Sequence, residues 1–164
     1  MKTRFASLLV LGVLVSMTLS AQTKISGTLS CVKPDPLNSI PTGDGEGTVM
    51  NLAKVSCTWS KTFDMAGSTS KDGYSVAASE VHAGKSKEHG IHVSTMANGD
   101  KYYVHFQGTG TVNPDHSGAV SGTWTFEGGT GKLKGLTGKG TYKTTSKADG
   151  TGTADVEGEY SIPK

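Results

Sequence analysis

The sequence predicts an all-β protein, a small antiparallel closed barrel of about eight strands that follows a cleaved signal peptide. Three observations predict this class. The chain has 23 glycines without a collagen-like period, and glycine combined with many Thr, Ser, Val and Tyr residues is typical of short strands joined by tight turns. Apolar and polar residues alternate along the chain, and no segment keeps a helical period. Turn pairs such as Asn98-Gly99 and Asp149-Gly150 separate the alternating segments.

Residues 1–21 are interpreted as a secretory signal peptide. Lys2 and Arg4 give a positive start, an apolar run extends from Phe5 to Leu19, and the small residue Ala21 suits a peptidase site. An uncleaved membrane anchor is the alternative, but the run is shorter than the ~20 apolar residues that a spanning helix needs. No later stretch is apolar enough to span, so we expect residues 22–164 to form one exported domain, periplasmic or extracellular.

Removal of the signal peptide changes the charge balance. The full chain has 16 basic and 14 acidic residues, and Lys2 and Arg4 leave with the signal, so the mature chain has a formal net charge of zero. Arg4 is the only arginine of the sequence. Because arginine is the usual residue for a bidentate grip on phosphate or guanine, the mature chain is not expected to bind nucleic acid.

Cys31 and Cys57 are the only cysteines. An even count in an exported chain predicts a disulfide between them, and two buried free thiols are the alternative. A simple hairpin around the intervening loop would place Cys31 opposite a residue near Thr48 rather than opposite Cys57. The bridge therefore requires a long connection or another arrangement of the two strands.

The first half of the mature chain contains two clear strands. Alternate residues share one face of each strand, namely Ile25, Gly27, Leu29 and Cys31 in the first and Val55, Cys57 and Trp59 in the second. Residues 33–47 contain three prolines and several glycines and are predicted to be a loop. Residues 48–54 fit either a strand or a helical turn.

Asn98-Gly99 is predicted to form a two-residue hairpin turn. That register puts Ile91 and Val93 on one face with the apolar residues of the next strand. It puts His92 on the other face, together with the polar residues Tyr103 and His105 of the next strand. One face is then apolar and the other polar, as a half-buried hairpin requires.

The last hairpin allows two registers. A two-residue turn at Asp149-Gly150 would set Tyr142 against Glu157, whereas a three-residue turn over residues 148–150 sets Tyr142 against Val156. The second register also pairs Lys143 with Asp155, Lys139 with Glu159, and Leu136 with Ile162. We choose it, because it pairs apolar residues with each other and opposite charges with each other.

The segment between these hairpins contributes another strand. Val120, Gly122, Trp124 and Phe126 alternate with outward-facing residues that include Thr123 and Thr125. About eight strands result, and an exported sheet of that size must close to hide its edges. The apolar faces predicted to fill the barrel carry Ile91, Val93, Tyr102, Val104, Phe106, Trp124, Phe126, Tyr142, Val156 and Tyr160.

The segment from Phe126 to Leu133, FEGGTGKL, resembles the strand-turn signature of dirigent proteins and allene oxide cyclases. Its glycines permit a tight backbone path, and Leu133 can plug the barrel end. The resemblance implies an eight-stranded barrel, often trimeric, with an apolar pocket for a lipid-like or phenolic ligand. The dirigent pattern uses arginine and aspartate in the pocket, and the mature chain has no arginine, so no catalytic residue is carried over.

Candidates for other chemistry are few. His92 and His105 face each other in the predicted hairpin and are candidates for binding zinc or copper, but no third ligand is evident and a solvated polar face is the favoured interpretation. Asp155, Glu157 and Glu159 alternate on the last strand and could form an acidic site, but the chosen register pairs two of them with lysines, so a solvated, charge-balanced face is favoured. The glycine-rich segment lacks the spacing of a phosphate loop. No cofactor is expected.

Three functions fit these observations. The first is a barrel that binds a small apolar ligand, with Tyr102, Phe106, Trp124 and Phe126 as the candidate ligand-binding residues. The second is an isomerase- or cyclase-type enzyme acting in the pocket, which would require ionisable residues on an inward face. The third is a structural protein whose barrel is solidly packed. Catalytic residues and ligand identity are not predicted.

Overall fold

The computed structural model describes residues 22–163, so the predicted signal peptide lies outside the described residues. These residues form strands and one short 3₁₀ helix, at Gly131–Leu133. The strands are β1 (Thr23–Cys31), β2 (Leu37–Pro41), β3 (Val49–Trp59), β4 (Asp64–Met65), β5 (Ser68–His82), β6 (Lys85–Met96), β7 (Lys101–Val112), β8 (Gly118–Gly129), β9 (Thr137–Ser146) and β10 (Gly152–Ser161). Within residues 22–163, no helix is long and apolar enough to cross a membrane.

Eight of these strands form the closed antiparallel barrel that the sequence predicts. The order around the barrel is β3-β1-β10-β9-β8-β7-β6-β5, and β5 pairs again with β3 to close the ring. The short strands β2 and β4 extend the sheet beside β3 and β5. Closure pairs the long strands on both sides, which removes the exposed edges of an open sheet.

The path from β1 to β3 differs from the predicted loop over residues 33–47. β2 lies within that segment and pairs with the first half of β3, so the turn spans only residues 42–48, where Thr42 N–H donates to Thr48 O at 3.0 Å. The ambiguous residues 48–54 belong mainly to a strand. Because the turn lies later in the chain than the middle of the loop, Cys31 comes directly opposite Cys57, and the predicted disulfide is present.

The hairpin between β6 and β7 corrects the predicted register by one residue. The loop has three residues rather than two: Met96 N–H donates to Asp100 O at 2.8 Å, and Gly99 has a positive φ of 87°. His92 therefore lies opposite Val104, and Ile91 lies opposite His105. A one-residue slip moves every side chain to the other face, so His92 faces inward and the predicted inward positions of Ile91 and Val93 are wrong.

The predicted facings of β1, β8, β9 and β10 are confirmed. β9 and β10 pair through the three-residue turn, with Tyr142 opposite Val156 and Lys143 opposite Asp155. On β8, Trp124 and Phe126 are buried, at 5% and 8% exposure, while Thr123 and Thr125 are exposed. β1 buries Ile25 and Leu29 as expected.

The barrel interior is filled at one end only. We call this the packed end, defined by Met65, Met96, Leu133 and Leu136, each 1% exposed. Leu133 comes from the 3₁₀ helix after β8 and joins the core cluster, as the sequence predicts for a plug. The opposite end, where β1 ends at Cys31 and β9 turns into β10, is called the open end.

Candidate functional site: an internal cavity with an acidic group

A cavity of about 250 Å³ occupies the barrel between the packed end and the open end. At the open end it extends to Val32, Pro34 and Gly150. The four candidate ligand-binding residues of the sequence, Tyr102, Phe106, Trp124 and Phe126, all line it. Most of the remaining lining is aliphatic or aromatic, which gives an apolar pocket with few polar groups, as small-molecule sites have.

Inward-facing glycines determine where the aromatic rings lie. A Cβ atom at Gly140 would come 2.5 Å from the Trp124 ring, and one at Gly90 would come 2.7 Å from the Phe106 ring. These glycines are on strands next to the aromatic residues, so each ring lies flat across a neighbouring strand instead of projecting toward the barrel axis. The rings coat the wall, and a central space is left.

The Tyr142 ring also lies across glycines of the neighbouring strands, and it extends from β9 to an acidic side chain on β6. From β9 the ring crosses Gly122 on β8, where a Cβ would lie 2.6 Å from its Cε1, and then Gly108 on β7, where a Cβ would collide with its hydroxyl. The Tyr142 hydroxyl donates to Oε1 of Glu88 on β6 at 2.7 Å. Glu88 points inward and lines the cavity.

The cavity changes the acidity of both members of this pair. Burial raises the pKa of the Glu88 carboxyl, and the hydrogen bond from Tyr142 opposes that shift. Burial, followed by the adjacent negative charge of Glu88, raises the pKa of Tyr142. A low-dielectric wall disfavours the charged form of each group. Tyr142 therefore remains a hydrogen-bond donor, and Glu88 is a carboxyl group able to exchange a proton nearer to neutral pH than an exposed one.

His92 is the second ionisable group that the corrected register brings into the cavity. It is 8% exposed, its Nδ1 lies 3.0 Å from the Ser75 hydroxyl, and Gly73 leaves space beside its Nε2. Burial lowers its pKa to about 4. The imidazole is therefore neutral at physiological pH, and it can donate or accept a hydrogen bond without adding a charge to the cavity.

The predicted face-to-face histidine pair does not exist. His92 points into the barrel, whereas His105 is exposed on the outer face of β7. Two of the three acidic residues predicted to lie on a solvated face, Asp155 and Glu157, are exposed, whereas Glu159 is partly buried. Asp155 accepts a hydrogen bond from Thr28 at 2.7 Å.

A different group of three residues lies close enough together to hold a cation. Asp44 and Glu46 in the β2–β3 turn approach His82 at the end of β5, with ligand atoms within 4.8 Å of one another. His82 Nε2 lies 3.8 Å from Glu46 Oε2, and His82 Nδ1 lies 2.9 Å from the Thr48 hydroxyl. Both carboxylates are exposed, and such surface clusters are common without a metal.

The sequence did not predict the two polar residues of the cavity wall, Glu88 and His92. The predicted register gave Glu88 no role and put His92 on the outer face. The signal that could have found them is the loop itself: Ala97-Asn98-Gly99 matches the three-residue loop Ala148-Asp149-Gly150. Applying one turn type to both hairpins puts Glu88 and His92 inside the barrel.

No protein-family model matches the chain, and no match is found among curated proteins. The resemblance to dirigent proteins and allene oxide cyclases stays an expectation based on residues 126–133. A function must therefore be argued from the cavity.

Proposed function

We propose that this protein binds a small, mainly apolar molecule inside its barrel. The observation that carries the proposal is the cavity of about 250 Å³, which has apolar walls and extends to the open end. This volume is close to the lower limit for small-molecule sites, so the ligand is small. A solidly packed structural barrel would not leave such a space.

The protein is proposed to work outside the cytoplasm. The Cys31–Cys57 disulfide supports this location, because disulfides persist in oxidising compartments and are rare in the cytosol. The charged start and apolar run of residues 1–19 support export through a signal peptide. A periplasmic or extracellular binding protein would encounter its ligand at the concentration that the ligand has outside the cytoplasm.

A second candidate is an isomerase- or cyclase-type enzyme. Glu88 favours it, since a buried carboxyl with a raised pKa is suited to donating or accepting a proton in an apolar pocket. Liquid chromatography coupled to mass spectrometry, applied to the molecules that co-purify with the native protein, separates the two functions. One unchanged species indicates a binding protein, and two isomers of equal mass indicate an enzyme.

Prodan, an uncharged naphthalene fluorophore, tests the binding function. Its emission shifts to the blue in an apolar site, so titration with the wild-type protein should give a saturable blue shift. Thr144→Phe places a ring into the cavity, because Thr144 lines it from β9. Thr145→Phe is the matched control, because Thr145 is exposed on the outer face.

We expect Thr144→Phe to weaken prodan binding by about tenfold or more, equivalent to ~1.4 kcal/mol, and Thr145→Phe to leave it unchanged. Thermal melting of both variants verifies that they are folded. A wild-type protein that gives no saturable shift, or two folded variants that bind equally well, would refute binding inside the barrel.

A further inference from the structure

We infer that the ligand carries a protonated amine and that this amine binds Glu88 in the cavity. The inference rests on the proposed function, and it adds the chemical class of the ligand. It starts from the position of Glu88, whose side chain faces inward from β6 and lines the cavity. Oε1 accepts the Tyr142 hydroxyl at 2.7 Å, and Oε2 has no hydrogen-bond partner among residues 22–163.

The cavity wall supplies no positive charge to balance this carboxylate. Its lining contains no lysine, and the mature chain has no arginine. The other titratable side chains of the lining are His92, Tyr102 and Tyr142, and burial holds His92 in its neutral form. Glu88 is partly buried, and even partial removal of a carboxylate from water without a counter-ion is unfavourable. A ligand ammonium group at Oε2 would provide the missing charge and a charge-assisted hydrogen bond.

The aromatic rings beside Glu88 suit the same group. The Phe106 and Tyr142 rings meet edge to face at 5.8 Å between centroids, and the Tyr142 hydroxyl contacts Glu88 directly. Aromatic faces attract ammonium groups, and the attraction is greater where water is excluded. The remaining apolar lining would surround the hydrocarbon part of the amine. An anionic ligand would instead meet a carboxylate of like charge, and a neutral ligand would leave the negative charge of the Glu88 carboxylate without a counter-ion.

Three compounds of similar size test the charge preference by calorimetry at neutral pH. Phenethylamine is a cation, phenethyl alcohol is neutral, and phenylacetate is an anion. We expect phenethylamine to bind the wild-type protein about tenfold or more tightly than phenethyl alcohol, since hydrogen bonds to charged groups contribute more than neutral ones. Phenylacetate should bind more weakly than either.

Glu88→Gln identifies the group responsible. The amide keeps the acceptor for Tyr142 and removes the charge, so phenethylamine should bind no more tightly than phenethyl alcohol does. Glu80→Gln is the control, because Glu80 is an exposed glutamate on the outer face of β5. It should keep the full preference for the amine. The wild-type comparison needs no variant, so the inference remains testable if Glu88→Gln does not fold.

The pH dependence gives a further readout. Because burial raises the pKa of Glu88, amine affinity should increase as the pH rises through that pKa, while the affinity for phenethyl alcohol should not. Equal affinities for the amine and the alcohol, or a folded Glu88→Gln variant that keeps the preference, would overturn the inference. Prodan binding would still stand in that case. A wild-type protein that binds neither prodan nor any of the three compounds would refute the proposed function as well.

Discussion

Trp124 illustrates how single residues shape the barrel interior. Its indole lies over Gly140 and Gly158, and its Nε1 donates to Thr141 O at 3.1 Å. The ring is 5% exposed and contacts Phe126 edge to face. The indole therefore fills the space that two glycines leave, and its Nε1–H group has a hydrogen-bond acceptor.

Replacing Trp124 tests its assigned facing. Trp124→Ala removes a large buried side chain and should lower the free energy of unfolding by ~3–5 kcal/mol. Thr125→Ala, on the exposed face of the same strand, should change it by less than about 0.5 kcal/mol. Chemical denaturation of both variants measures the difference. Similar losses of stability in the two variants would mean that the facing of β8 is wrong.

His92 predicts a pH dependence of stability. Its pKa is about 4 in the folded protein against an ordinary value of 6.5, so between these values the unfolded chain takes up a proton that the folded protein does not. The free energy of unfolding should therefore fall by roughly 3 kcal/mol as the pH drops from 6.5 to about 4. In His92→Gln this fall in the free energy of unfolding between pH 6.5 and about 4 should be absent.

The comparison requires a matched histidine. His105→Gln changes an exposed imidazole on the outer face of the adjacent strand and should leave the pH profile of the wild type intact. Urea denaturation over the pH series provides the measurement. Parallel profiles for His92→Gln and the wild type would show that His92 is not buried in its neutral form.

At the scale of elements, the pairing of β1 with β3 is a short ladder within the ring of strands. The register covers Leu29 to Cys31 against Cys57 to Trp59. By comparison, β1 pairs with β10 along its whole length, from Thr23 to Cys31. The disulfide joins the last residue of β1 to β3 at this short ladder, so it reinforces the shortest junction of the ring.

Removing the disulfide should weaken that junction in particular. The bridge spans a sequence separation of 26 residues, and Cys31→Ala/Cys57→Ala should cost about 3 kcal/mol in unfolding free energy. Hydrogen exchange should increase in β1 and β3 before it increases in β7 and β8. Mass analysis under non-reducing conditions comes first, and two free thiols would contradict the bridge.

The elements also show which parts of the fold the sequence could predict. β8, β9 and β10 were correct because their alternation and their turns indicate the same register. β6 was wrong because its polar residues face inward: Glu88 and His92 line the cavity, while Ile91 is 42% exposed outside. Alternation cannot reveal a strand that inverts the usual pattern. β2 was missed because all its residues are exposed, so it has no apolar face to detect.

At the scale of the whole molecule, the barrel separates stability from binding. The packed end contains Leu133 and Leu136, which belong to the core cluster and do not line the cavity. The open end carries Val32, which is exposed yet lines the cavity. The glycine-rich strands leave the space between these ends, and Glu88 lies in its wall.

This division predicts opposite effects of truncating one aliphatic side chain at each end. Leu136→Ala should lower the free energy of unfolding by ~2–5 kcal/mol, because it leaves a cavity in the packed end. Below its melting temperature this variant should bind prodan as the wild type does, since Leu136 does not contact the cavity. Val32→Ala should change stability by less than about 0.5 kcal/mol and should weaken prodan binding, because it removes apolar surface at the open end. Equal losses of stability in the two variants would mean that the interior is a single continuous core. A loss of prodan binding confined to Leu136→Ala would mean that ligands do not occupy the half of the barrel nearest Val32.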